Sequence, residues 1–321
     1  MITAALLAAV LLASQAVMWA LIRARWTWRA TRTAIVTWQA VGLAWALSAV
    51  GIPLAIGLEP YGESLLTALP AFAADVARGQ LPAPWRLVAI CLGLALGALF
   101  AATHVSSLVQ AVRARARHRA LLALVARRDA AAPGVLVLDH PAAAAYCLPG
   151  LRSTVVVSAG ALALLDRVEL AAVLAHERAH ADERHDLVLL PFTALCRFIE
   201  LCRWIARHPA PPGRRWPRSA FEAVALLIEM RADDRALRQH GAGRLVAALQ
   251  RFAATGAPAP AGALGVLGHQ GDRATDDQLA ARIQRVRELQ HPRGARPSRA
   301  LPWSALSAAL VLLATSISLL G

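Results

Sequence analysis

Cysteine is scarce in this chain: four among 321 residues, Cys91, Cys147, Cys196 and Cys202, none at the spacing of a disulfide framework or a zinc finger. That excludes a cysteine-stapled fold, and the four read as small buried apolar residues. Charge is missing from four long stretches, Ile2–Ile22, Ala34–Leu58, Leu87–Val112 and Leu301–Leu320. A helix needs about 20 apolar residues to cross a bilayer, and each stretch is long enough. An ordinary soluble protein is thereby excluded. The first stretch lacks a basic segment ahead of it and a small-residue cleavage site behind it. It reads as a retained membrane helix rather than a signal peptide. None of the four carries a charged midplane residue, which argues against a transporter.

Acidic residues are outnumbered, 20 against 34 basic ones, for a net charge of +14. A nucleic-acid partner would fit that number but not the placement of the arginines. Arg23, Arg25, Arg29 and Arg32 follow the first span, and Arg113, Arg115, Arg117 and Arg119 follow the third. Arg293, Arg296 and Arg299 precede the fourth, whereas loop 59–84 holds only Arg78 against Glu59, Glu63 and Asp75. This is the alternation of the positive-inside rule. It puts the N-terminus and loop 59–84 outside the cell membrane and 113–300 in the cytoplasm. Tryptophans Trp19, Trp26, Trp28, Trp85 and Trp303 near span ends read as an interfacial belt.

The chain therefore divides into residues 1–112, with three transmembrane helices at about 2–22, 34–58 and 87–112, a cytoplasmic domain over 113–300, and a closing helix over 301–321. The domain opens on a basic amphipathic helix, 108–128. A strand-like piece is expected at 134–140 and a strand at 153–160, where a β-branched run is bounded by glycine. Segment 186–207 is apolar but interrupted by Pro191, Arg197, Glu200 and Arg203, and reads as an interfacial or packing helix rather than a fifth span. Residues 208–218 are a proline-rich loop and 253–276 a flexible one, with helices at 219–240 and 277–289.

What is present is more telling. His176-Glu177-Arg178-Ala179-His180 lies on a helical stretch, 168–186. Histidines four apart share one helix face and can reach a single metal ion. The glutamate between them sits where it can act as general base on a metal-bound water. A catalytic zinc takes three protein ligands and keeps one position for water. Glu229, in a run that should be buried, is a candidate third ligand, and Asp233 on the same face could orient a histidine. Spacing alone leaves an equal alternative, a solvated Glu/Asp face beside Arg231 and Arg235. His240 or an arginine is expected to stabilise the oxyanion. Arg184, His185 and Asp186 are expected in supporting polar roles, and His104 as a packed neutral residue.

The stretches YCLPG, STVVVSAGALALL and ELAAVLAHERAH with the following ERHD resemble the zinc metallopeptidases of the beta-lactam-sensor and antirepressor family (BlaR/MecR type). More distantly they are similar to the HtpX and CAAX-prenyl-protease group. The resemblance spans about 105–290 and implies a gluzincin-like protease domain of mainly α (α+β) type in an α-helical polytopic membrane protein. It implies His176, His180 and Glu229 as ligands of one zinc ion per chain, Glu177 as base and Asp233 behind a ligand. Tyr146, Cys147 and Leu148, in the extended piece 142–149, would hold a substrate strand by backbone pairing; read alone, the piece is equally a strand running into a Pro-Gly turn.

The expected activity is zinc endopeptidase cleavage of a protein or peptide at the cytoplasmic membrane face, in regulatory signal transduction or quality control. The partners are that substrate, the lipid bilayer and a sensor partner or oligomer, with no nucleic acid. The sensor family carries an extracellular ligand-binding domain after its last span, and this sequence ends at Gly321, so a trigger is expected in loop 59–84 or a partner. The alternative is a non-proteolytic membrane scaffold with structural zinc or none; a closed structural site would need a fourth ligand, and the sequence offers no obvious one.

Overall fold

Long apolar runs without a breaking charge dictate long helices, and the computed structural model has them. It describes residues 1–62, 64–128, 135–150, 153–207, 216–254, 272–290 and 300–321. In chain order come helices α1 (Ile2–Arg23), α2 (Thr31–Gly57), α3 (Leu65–Ala77) and α4 (Pro84–Val125). Strands β1 (Ala126–Arg128), β2 (Val135–Leu138), β3 (Ala145–Leu148) and β4 (Thr154–Ser158) follow. Helices α5 (Ala159–Leu164), α6 (Arg167–Asp182), α7 (His185–Ile205), α8 (Trp216–His240), α9 (Ala242–Ala254), α10 (Asp272–Gln290) and α11 (Ala300–Leu320) complete the chain. Most of the proline-rich run 208–218 and of the loop expected at 253–276 lies outside the described residues.

Two compact units emerge, one of Met1–Val105, Pro191–Val224 and Pro297–Gly321, the other of Ser106–Leu190 and Ala225–Arg296. In the first, α1, α2, α4 and α11 are long and apolar enough to cross a membrane. They coincide with the four charge-free stretches. Exposed Leu12, Val88, Leu92, Val311 and Ile317 give them an apolar exterior that fits membrane association. A buried Ser48–Ser316 hydrogen bond of 3.2 Å joins α2 to α11. Glu59 takes both the terminal amine of Met1, at 3.2 Å, and Arg86, at 2.9 Å, so the start of α1, the end of α2 and the start of α4 meet at one end.

The stretch 59–84, expected as a loop, contains α3. Ser64 caps it by accepting from the Thr67 N–H, and Leu65, Leu69 and Phe72, at helical spacing, pack with Leu54, Leu58 and Ile90. The second half of α7 belongs to this unit too. Phe192 stands edge-on to Trp38 at 6.5 Å between ring centroids, and Phe198 edge-on to Phe100 at 5.4 Å. His104 is packed as expected, its ring 4.2 Å from Phe100 and its Nδ1 2.8 Å from the Phe100 carbonyl oxygen.

The second unit is built on a four-stranded sheet of order β1-β2-β4-β3. β2 and β4 run parallel; β1 and β3 are antiparallel to their neighbours, with Cys147 opposite Val155. β3 is thus an edge strand. One sheet face packs Tyr146, Leu148 and Val156 under Leu122 of α4; the other packs Val155 and Val157 against Ala161. The basic helix expected over 108–128 is the continuation of α4, since no Gly or Pro interrupts residues 98–125. Its last three residues instead form β1.

Two local features set the entry to α6. Asp166 caps it, accepting from the Val168 and Glu169 N–H groups while Glu169 returns a bond to the Asp166 N–H. Gly160, whose N–H donates to the His140 carbonyl at 3.0 Å, passes so close to Pro141 that a Cβ would overlap the Pro141 carbonyl. Gly160→Ala is therefore expected to cost roughly 1–3 kcal/mol by overpacking against backbone that cannot swing away. Thermal unfolding of the purified variant checks this, and an unshifted midpoint would show that the approach has slack.

Candidate active site and metal centre

Helical spacing puts His176 and His180 on one face of α6, and both are buried. Across from them α8 presents Glu229 and, one turn on, Asp233. Nε2 of His176 is 3.1 Å from Nε2 of His180 and 3.3 Å from Oε2 of Glu229. Nε2 of His180 is 3.5 Å from Oε1 of Glu229. A tetrahedral zinc with bonds of about 2.0–2.1 Å separates its ligand atoms by about 3.3–3.4 Å. The three side chains stand at that spacing, and they form the one cluster among the described residues able to hold a metal ion. Two imidazoles and a carboxylate are a donor set that suits zinc, so the residues fit the ion.

The even choice left by spacing is resolved by where the arginines go. Arg231 reaches Glu183 at 2.9 Å and Arg235 reaches Asp182 at 2.6 Å, both at the end of α6. These pairs tie α8 to α6 and turn Glu229 and Asp233 toward the histidines instead of toward solvent. Asp233, wholly buried, lies 3.0 Å from Nδ1 of His176. That leaves Nε2 as the atom His176 can offer a metal, with the carboxylate fixing its tautomer.

His180 has a different support. Its Nδ1 is 3.0 Å from Nδ1 of buried His185, whose Nε2 is 3.6 Å from Oε2 of Glu183. With His180 using Nε2 as ligand, its Nδ1–H donates to His185. His185→Phe keeps the buried ring but removes the acceptor. It is expected to weaken zinc binding about 10–100-fold in a chelator competition; unchanged affinity would remove His185 from the site. Its neighbours also have polar partners. Arg184 donates to the Gly150 carbonyl at 2.8 Å, and Asp186 pairs with Arg115 at 2.9 Å.

Glu177, next to His176 on α6, reaches the sheet edge. Its Oε2 accepts the Cys147 N–H of β3 at 2.9 Å. Burial drives its carboxyl up to about 7; the charge on His176 opposes that and the charge on Glu229 adds to it. Burial disfavours the charged form of His176, but contacts with Asp233 and Glu229 outweigh it and carry that ring to about 10. Burial holds His180 down to about 3. Glu229 is kept well below the ordinary carboxylate range against the effect of burial by His180 and Arg282.

Tyr146, Cys147 and Leu148 all have buried side chains, so β3 can offer a ligand only its backbone. The hydroxyl of Tyr146 meets Nε2 of His118 at 2.8 Å, and Arg119 donates to the Pro149 carbonyl. Together with Arg184 on Gly150, these contacts fix the end of the strand. His240 closes α8, eleven residues beyond Glu229, about 16 Å along the helix axis and out of reach of the site.

One residue of the site carries no signal in the sequence. Arg282 of α10 forms a forked pair with Asp233, Nε to Oδ2 at 2.8 Å and Nη2 to Oδ1 at 2.6 Å, and its Nη1 lies 3.1 Å from Oε2 of Glu229. It is one arginine among several on an amphipathic helix, and only tertiary packing singles it out.

No curated protein and no solved structure matches this chain significantly. Residues 111–214, running from the end of α4 through the sheet, α6 and α7, match the model of peptidase family M48. Glu229, Asp233 and Arg282 lie beyond the matched span and are joined to it by geometry alone. The match and the His176, His180 and Glu229 cluster together support a metallopeptidase of the M48 family.

Proposed function

We propose that the chain is a membrane-bound, zinc-dependent endopeptidase that hydrolyses peptide bonds of protein substrates. The observation that carries this reading is the convergence of His176, His180 and Glu229 at tetrahedral spacing beside a partly buried Glu177. In this reading those three residues hold one zinc per chain, and Asp233 orients His176. Bound there, zinc supplies a water of lowered pKa and polarises the scissile carbonyl.

Glu177 has the two properties a proton carrier needs. Oε2 is held by the Cys147 N–H, which leaves Oε1 to take a proton from water and hand it to the leaving nitrogen as the C–N bond breaks. A carboxyl raised toward 7 can both accept and return that proton near neutral pH. Since β3 is an edge strand with buried side chains, a substrate would lie in extended form along Tyr146, Cys147 and Leu148. Tyr146 and Leu148 turn their backbone to β4, so main-chain pairing would fall on the outward-facing Cys147, whose N–H already goes to Glu177. The arginine distribution supports a cytoplasmic catalytic part, and the resemblance to antirepressor and HtpX-type proteases supports regulatory or quality-control cleavage.

The test uses the full chain purified in detergent with a casein-type substrate. Cleavage should stop on chelation by phenanthroline and return on adding zinc. Cleavage indifferent to the chelator, or none under any metal condition, would refute the proposal.

A further inference from the structure

We propose that Arg282 is a positioning residue of the metal centre: its guanidinium holds one oxygen of Glu229, so that this ligand serves the metal through the other oxygen only and the position for water stays open. The proposal rests on the zinc reading above.

A carboxylate beside a cation can coordinate through one oxygen or through both. With both, the position that a hydrolytic site keeps for water is taken. In the structure the two oxygens of Glu229 are not equivalent. Both face a histidine ligand, Oε2 at 3.3 Å from Nε2 of His176 and Oε1 at 3.5 Å from Nε2 of His180, but only Oε2 also meets Nη1 of Arg282, at 3.1 Å. The guanidinium itself cannot swing, because Nε and Nη2 are both engaged by Asp233 and the side chain is only 13% exposed.

The fork also reaches a second ligand. Oδ1 of Asp233 takes Nη2 of Arg282 and lies 3.0 Å from Nδ1 of His176. One side chain thus stands behind two of the three ligands, on two different elements. Its planar donors match this task and an ammonium would not, since a point charge cannot span two carboxylates at fixed angles. The charges agree as well. A divalent cation and Arg282 balance Glu177, Glu229 and Asp233 as carboxylates.

Cobalt in place of zinc reports coordination number through its visible absorption, which is intense for four ligands and weak for five or six. Full-length wild type loaded with cobalt in detergent should give the intense spectrum. Arg282→Ala and Arg282→Lys should each lose it several-fold, with kcat on casein down about 10–100-fold and KM little changed. Free guanidinium at millimolar concentration should restore the Arg282→Ala spectrum but not that of Arg282→Lys. Guanidinium rescue keeps the test valid where the alanine variant is less stable.

An Arg282→Ala protein with wild-type spectrum and cobalt affinity would overturn the role of Arg282 alone. A wild type that takes up no cobalt would overturn the zinc reading beneath it.

Discussion

Glu177→Gln is expected to keep its zinc and lose about 10²–10⁴-fold in kcat, the share a positioned general base contributes. The amide preserves the shape and can still pair with the Cys147 backbone, but it cannot accept a proton. His176, His180 and Glu229 are untouched, so metal content should match wild type. The pH dependence is tied to the same group. A base works when deprotonated, so kcat/KM should rise with pH through the pKa of Glu177. Burial raises that value to about 7, and the positive charge of a bound metal pulls it down. The acidic limb is therefore expected below about 7, and it should vanish from the residual activity of the variant. Equal cleavage by wild type and variant would remove Glu177 from the chemistry.

Asp233→Ala should produce the largest loss of stability, about 3–5 kcal/mol, measured by thermal unfolding of the full chain in detergent. The side chain is wholly buried and forms the only forked ion pair of Arg282 among the described residues. Its removal leaves the guanidinium, only 13% exposed, with Glu229 as its remaining carboxylate, and breaking such a pair from one side costs more than the pair is worth. Burial raises its carboxyl, but Arg282 and His176 outweigh that and bring it to about 2. A depressed folded-state value means the stabilisation is full above the ordinary carboxylate range and is lost as pH falls from about 4 toward 2. The deficit of the variant should shrink over that window. A deficit below 1 kcal/mol at neutral pH would mean that water already reaches the pair.

Sequence legibility followed the range of each interaction. The four long apolar helices and the His176/His180 face depend on contacts within one helix, so periodicity and absence of charge disclosed them. The strands at 135–138 and 154–158 were legible for a similar reason, since short apolar runs rich in β-branched residues and flanked by glycine leave few alternatives. β1 was not, because Ala126–Arg128 continues a helical pattern and becomes a strand only by pairing with Leu136–Leu138. Glu229 could be named but not distinguished from a solvated face. What decides it is the Arg231–Glu183 pair, 48 residues apart. Arg282 escaped notice for the same reason, being 49 residues from Asp233 on a helix whose other arginines look alike. The carboxylate donors it serves have no fixed spacing to it. By contrast α3 has local signals, the Ser64 cap and the helical spacing of Leu65, Leu69 and Phe72, but Pro70 within it favours reading a loop, and packing against Leu54 and Ile90 decides for the helix.

The central claim is that His176, His180 and Glu229 together hold one zinc ion. Metal analysis by mass spectrometry of full-length wild type and His180→Ala, purified in detergent with equal exposure to zinc, tests it most directly. One zinc per wild-type chain and almost none in the variant is the predicted result. Zinc absent from wild type, or equal in the two proteins, would contradict it.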